Sequence, residues 1–98
     1  DPFDYSHYVG TYVKDWSSSI INFGIDSTLI SIEEGKLYYA PYYRDGSIDK
    51  REIIPIDKYK FRTVYRRGFY RVKFDNRGEV VGISIGNGAL WETSKKIR

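Results

Sequence analysis

Short segments of alternating apolar and polar residues, separated by glycine turns, constrain this fold more than any other feature. Residues 8–13, 37–43, 69–74 and 80–85 are examples. A period of two places successive side chains on opposite faces of a β-strand. Glu34-Gly35 and Asp45-Gly46 between such segments are hairpin signals. Because short connections join antiparallel neighbours, the sequence predicts an antiparallel sheet.

An up-and-down sheet exposes two edges unless it closes on itself. We therefore predict an all-β, lipocalin-like fold, a small up-and-down antiparallel barrel of seven or eight strands. The barrel is expected to span residues 8–93. Residues 1–7 show no clear period and are predicted to be a lead-in or linker. Residues 94–98 are predicted to be a basic tail that frays.

The alternation also predicts which side chains enter the barrel. Tyr70, Val72 and Phe74 share one parity, and Arg71 and Lys73 share the other. The apolar set is expected inside and the basic set in water. By the same rule, the set Val81, Ile83 and Ile85 is expected inside. The segment 36–43 is apolar or aromatic on both faces, so its outward tyrosines need a cover or form an exposed patch.

Composition restricts the chemistry that this chain can perform. The chain of 98 residues fits one domain and has no cysteine, which excludes disulfides and thiolate metal sites. His7 is the only histidine, so it has no histidine or cysteine partner for a metal or for nucleophilic catalysis. No apolar run approaches the roughly 20 residues that span a bilayer. We predict no metal, no cofactor and no catalytic residue, and the compartment stays open.

One catalytic motif does occur. The segment Ser47-Ile48-Asp49-Lys50 matches Ser-x-x-Lys, the nucleophile motif of serine β-lactamases and penicillin-binding proteins. That chemistry needs the serine at the start of a helix, with the lysine one turn away. Here the match follows an Asp-Gly turn without a helical pattern, so we interpret it as a chance match.

Several segments together resemble a known family. The chain opens with Tyr8-x-Gly10-x-Tyr12, continues through Gly35-Lys36-Leu37 and Tyr59-Lys60-Phe61, and ends in Val72-Lys73-Phe74-Asp75-x-x-Gly78-Glu79-Val80-Val81-Gly82-Ile83. This succession resembles the lipocalin-like domain at the C-terminus of bacterial β-lactamase-like serine hydrolases and related D-amino-acid-specific peptidases. The resemblance covers about residues 8–91. These 98 residues include no hydrolase domain, which departs from the family, and how the loop 15–26 compares with the family in length stays open.

The resemblance implies an accessory role. In such enzymes the barrel follows a catalytic domain in the same polypeptide and is a cap or assembly element. The resemblance also implies an exported or periplasmic location. We therefore expect a non-catalytic module of a serine hydrolase that contacts the upstream hydrolase domain or a second copy. Aromatic residues dominate interface energetics. The expected contact residues are Trp16, Tyr38, Tyr39, Tyr42 and Tyr43.

Two binding functions remain as alternatives. A basic strip, comprising Lys60, Arg62, Arg66, Arg71 and Lys73, lies beside aromatic residues, as in single-stranded nucleic-acid binders. Parity separates the cations from most of these aromatics, which favours a solvated barrel face over a nucleic-acid site. The second alternative is a small ligand inside the barrel, with Tyr12, Tyr39, Tyr43 and Tyr70 as lining residues. With aromatics this bulky, we expect a mostly filled core.

Overall fold

The computed structural model describes residues 3–14, 24–64, 68–87 and 90–98, and it confirms the predicted barrel. Eight strands form a closed antiparallel barrel in which each strand pairs with its neighbours in sequence and β8 returns to β1. A 3-10 helix, Tyr5–Tyr8, precedes the strands. The strands are β1 (Gly10–Lys14), β2 (Ile25–Glu33), β3 (Lys36–Tyr43), β4 (Arg51–Asp57), β5 (Lys60–Thr63), β6 (Tyr70–Phe74), β7 (Val80–Asn87) and β8 (Leu90–Lys96).

The last strand closes the barrel against the first. Tyr12 is opposite Lys96, and Lys14 is opposite Ser94. Beyond these pairs, the Thr11 amide donates to the Arg98 carbonyl at 2.9 Å. The prediction of a fraying basic tail is therefore wrong for residues 94–96, which belong to β8. A strand edge with no partner exposes unpaired amide and carbonyl groups, and these residues supply that partner.

The β2–β3 hairpin shows how local sequence sets the register. Glu33 is opposite Lys36, so the turn contains only two residues. Glu34 has φ 53° and Gly35 has φ 79°. Two consecutive positive φ values are the signature of the type I′ turn, whose twist matches that of the flanking strands. The tight hairpin predicted from Glu34-Gly35 is confirmed.

A column of aromatic rings fills the centre and the lower end of the barrel, which is the end at which the turns 34–35, 58–59 and 76–78 lie. The rings of Phe61 and Tyr70 are stacked with centroids 4.9 Å apart. Tyr39 lies 4.8 Å from Tyr70, and Tyr8 lies 5.9 Å from Phe61. Each buried ring removes a large apolar area from water, which explains how a short chain obtains a sufficient core.

The N-terminal 3-10 helix covers the lower end and is held there by tyrosine hydroxyl groups. The Tyr8 hydroxyl donates to the Lys58 carbonyl at 2.7 Å, and the Tyr12 hydroxyl donates to the Tyr8 carbonyl at 2.5 Å. Asp4 caps the helix by accepting from the Ser6 amide, and hydrogen bonds from Ser6 lower the pKa of Asp4. Phe3 packs against the core cluster. The prediction of a linker is therefore wrong for residues 3–7.

Parity places the wall side chains as predicted, with one exception. Tyr70, Val72 and Ile83 are buried, while Arg71 and Lys73 are exposed. The exception is Val81, which was predicted inside but is 41% exposed. A β-bulge explains it: Lys73 is opposite Gly82, whereas the next residue, Phe74, is opposite Val80. The extra residue on β7 shifts Val81 to the outside.

We predict that removing the Tyr8 hydroxyl destabilises the fold. Tyr8→Phe keeps the ring in place but deletes the hydrogen bond to Lys58, so the free energy of unfolding should fall by about 1 kcal/mol. Urea unfolding measures this change. Tyr42→Phe is the matched control, because Tyr42 lies 38% exposed on the outer wall. Equal losses in both variants would contradict the proposed role of Tyr8.

Alkaline pH should also destabilise the fold. Burial raises the pKa of Tyr8 and of Tyr12 in the folded state. The unfolded chain loses these protons near pH 10, so the free energy of unfolding is retained below that pH and falls as the pH rises above about 10. Urea titrations across this range should show a shallower fall for Tyr12→Phe than for the wild type. Identical slopes for the two proteins would rule out this contribution.

Candidate functional site

The candidate site is a cavity inside the barrel at its upper end, opposite the 3-10 helix. Its volume is about 170 Å³. Most of its lining residues lie near the upper ends of their strands, where β3 ends and where β4 and β6 begin. The lining residues are Ile25, Tyr39, Pro41, Tyr43, Asp49, Arg51, Tyr70 and Ile85.

Most of this lining is apolar or aromatic. Tyr70, which stacks on Phe61, and Tyr39, whose ring is tilted against Phe61, are buried and form the inner surface. Ile25, Pro41 and Ile85 complete the apolar part. Aromatic and aliphatic side chains around a concave space are typical of small-molecule sites. Three of the four tyrosines predicted to line an interior cavity do so, namely Tyr39, Tyr43 and Tyr70. Tyr12 is buried in the core instead, where its hydroxyl group bonds to the 3-10 helix.

A charged pair supplies the polar part of the cavity. The Arg51 Nε donates to Asp49 Oδ2 at 3.0 Å, and Arg51 Nη1 donates to the Val64 carbonyl at 3.1 Å. Both side chains are about one quarter exposed. A guanidinium group carries five N–H donors, so these two bonds fix its orientation and use only part of its capacity.

Arg51 is not among the site residues predicted from the sequence, although the sequence carries a signal for it. Arg51 is opposite Tyr39, which faces the interior. It is also two residues before Ile53, which is buried at 3% exposure. A period of two therefore gives Arg51 the inward parity and places Asp49 on the same side of the chain. A cation at an inward strand position is the pattern that would have identified this site.

The predicted aromatic contact surface does not form as one patch. Tyr39 is buried, and Tyr43 lines the cavity. The side chains of Tyr38 and Tyr42 have the outward parity, and Lys50 Nζ lies 4.9 Å from the centre of the Tyr38 ring. Trp16 lies outside the described residues. Strand alternation divides the four tyrosines between the two faces, because their positions differ in parity.

The predicted basic residues lie together on the outer wall. Lys60 is opposite Arg71 in the ladder between β5 and β6. Arg62 and Lys73 are exposed on the same outer side. The aromatic residues Phe61 and Tyr70 point inward, as the parity argument requires. Arg66 lies outside the described residues.

The structure gives the two residues of the Ser-x-x-Lys match different partners. The Ser47 hydroxyl donates to Asp45 Oδ1 at 2.6 Å, and this bond lowers the pKa of Asp45. Lys50 Nζ pairs with Glu33 at 2.5 Å, and that hydrogen bond lowers the pKa of Glu33. Each group is thus held by its own carboxylate on an exposed loop or strand end. His7 is exposed at the end of the 3-10 helix.

Comparisons with family models, with curated proteins and with solved structures found no match to this chain. Within the described ranges, no group of three or more histidine, aspartate or glutamate side chains is placed to hold a metal ion. No helix in the part of the chain that the structure describes is long and apolar enough to cross a membrane.

Proposed function

We propose that this domain is a non-catalytic binding barrel that holds one small, neutral, single-ring molecule in its upper cavity. The observation that carries the proposal is the combination of an aromatic inner surface with the Asp49–Arg51 pair in one cavity that is partly open to solvent. Apolar lining with a few polar groups in fixed positions is the usual composition of a small-molecule site.

The volume of the cavity limits the size of the ligand. Drug-sized ligands occupy pockets of roughly 300–1,000 Å³, whereas a cavity of about 150 Å³ accepts benzene. The 170 Å³ available here therefore suits a single ring with one small substituent. A steroid, a fused polycycle or a long acyl chain exceeds this space.

The charged pair limits the chemistry of the ligand. Asp49 balances the charge of Arg51, so the pair offers a donor and an acceptor without a net charge. A hydroxyl group can donate to a carboxylate and accept from a guanidinium N–H, whereas a second carboxylate would be repelled by Asp49. We therefore favour a phenol-like ligand over an anionic one.

An accessory role beside a serine hydrolase stays a prediction and is compatible with this proposal. Of the predicted contact residues that the structure describes, only Tyr38 and Tyr42 have the outward parity. Both lie on β3, away from the interior, so a partner could contact this wall while the cavity is occupied.

A nuclear magnetic resonance titration tests the proposal. Phenol added to the ¹⁵N-labelled domain should shift the amide signals of residues at the cavity, such as Tyr39, Arg51 and Ile85. A single-ring ligand supports a Kd on the order of 1 mM. Benzoate should bind more weakly than phenol, because Asp49 opposes its charge. The absence of saturable shifts at the cavity with phenol and with benzene would refute a ligand site.

Two variants on β7 make this test specific. Ile85→Phe fills the cavity and should abolish the phenol shifts. Val81→Phe is the matched control, since it adds a similar volume to the same strand on the exposed outer wall. Both variants should keep a dispersed amide spectrum. Unchanged phenol binding by a folded Ile85→Phe variant would place the ligand elsewhere.

A further inference from the structure

Charged residues are distributed unevenly over the outer wall of the barrel. The strands β5, β6 and β7 contain no aspartate or glutamate, yet β5 and β6 together carry four cations. These four cations and Lys95 of β8 all have the outward parity. We call this surface the cationic wall, and it consists of Lys60, Arg62, Arg71, Lys73 and Lys95. Opposite charges are paired on other parts of the surface, as in Asp26–Arg44 and Glu33–Lys50.

The side-chain charges of the cationic wall form no ion pair among the described residues. None of its ammonium or guanidinium groups has a carboxylate within 4.0 Å there, although Asp57 accepts a hydrogen bond from the Lys60 backbone amide at 3.1 Å. Lys60 and Arg71 are directly opposite each other, and like charges at opposite positions destabilise a sheet. In the next row, Lys73 and Lys95 are both opposite Gly82, which has no side chain to separate them. A bound polyanion would relieve this repulsion.

Exposed aromatic rings lie at both ends of this strip. Phe69 is 51% exposed, and Lys60 Nζ lies 5.5 Å from the centre of its ring. Tyr59 is 56% exposed, and Lys58 Nζ lies 5.0 Å from its ring centre. Single-stranded nucleic-acid sites combine a cationic track for the backbone with aromatic surfaces on which bases stack. Parity puts Phe61 and Tyr70 inside and Phe69 outside. Tyr59 lies in the turn before β5, where its ring packs edge to face with Phe74, with centroids 5.6 Å apart, and the rest of the ring is exposed.

We propose that the cationic wall binds single-stranded nucleic acid along β5 and β6. From Phe69 to Lys73 the strand rises about 13 Å, which accommodates a few nucleotides. The wall of a barrel is convex, so a flexible strand can follow it, whereas a flat lipid surface would touch only its crest. The two aromatic rings lie at opposite ends of the strip and do not form one apolar cluster for insertion into a bilayer. This proposal is independent of the interior cavity.

Fluorescence anisotropy with a labelled oligothymidylate of about 12 nucleotides tests the proposal. Binding should weaken as salt rises from about 20 to about 200 mM, with a log–log slope near −3 if about four phosphates are neutralised. The double variant R71A/K73A should lower the affinity at low salt by at least about tenfold and make the slope shallower by about 1.4. Phe69→Ala should lower affinity about fivefold and leave the slope unchanged, since stacking releases no counterions.

The double variant K36A/R44A is the matched control. It removes one lysine and one arginine from exposed positions away from β5 and β6, namely the start of β3 and the turn after β3, and it should retain wild-type binding. Equal losses in both double variants would show a general charge effect and overturn the proposal. So would a lack of oligonucleotide binding at low salt. Vesicles of phosphatidylserine bound in preference to the oligonucleotide, with the same dependence on Arg71 and Lys73, would identify a lipid surface instead. Circular dichroism checks that each variant is folded.

Discussion

Closure of the barrel between β1 and β8 is the constraint on which the rest of the structure depends. The pairing of Tyr12 with Lys96 leaves no strand without a second neighbour. Closure also requires β7 and β8 to approach closely, and a Cβ atom at Gly82 would lie 2.6 Å from the Ser94 carbonyl oxygen. Once the sheet closes, each side chain faces either the interior or the outside, so parity decides the environment of wall residues wherever the ladder has no bulge.

The interior is divided between a packed lower part and a cavity in the upper part. In the lower part, the rings of Tyr8 and Phe61 fill the space, and the 3-10 helix covers it. In the upper part, the inward positions of the loop 44–50 and of β4 hold Asp49 and Arg51 in place of apolar side chains. A partly buried charged pair must keep its hydrogen bonds, so it cannot pack as densely as aliphatic groups. The cavity lies where polar residues replace the aromatic column.

Much of the wall could be predicted from the sequence, since alternation and turn residues are local signals. The burial of Val72 and the exposure of Arg71 follow from parity alone. The exposure of Val81 does not, because it depends on a bulge that only the pairing of β6 with β7 reveals. The 3-10 helix was missed for a similar reason. A single turn has no period to detect, and its stability comes from contacts such as the Tyr8 bond to Lys58, fifty positions away.

The sequence by itself determined the strands, the type I′ turn at Glu34-Gly35 and the face on which most side chains lie, because each of these depends on residues within a few positions. Only the tertiary structure decided that the strands number eight, that the termini close the barrel, and that Asp49 and Arg51 share a cavity with Tyr70. These features join residues distant in the chain. Their positions depend on registers and on barrel closure, which no local pattern encodes.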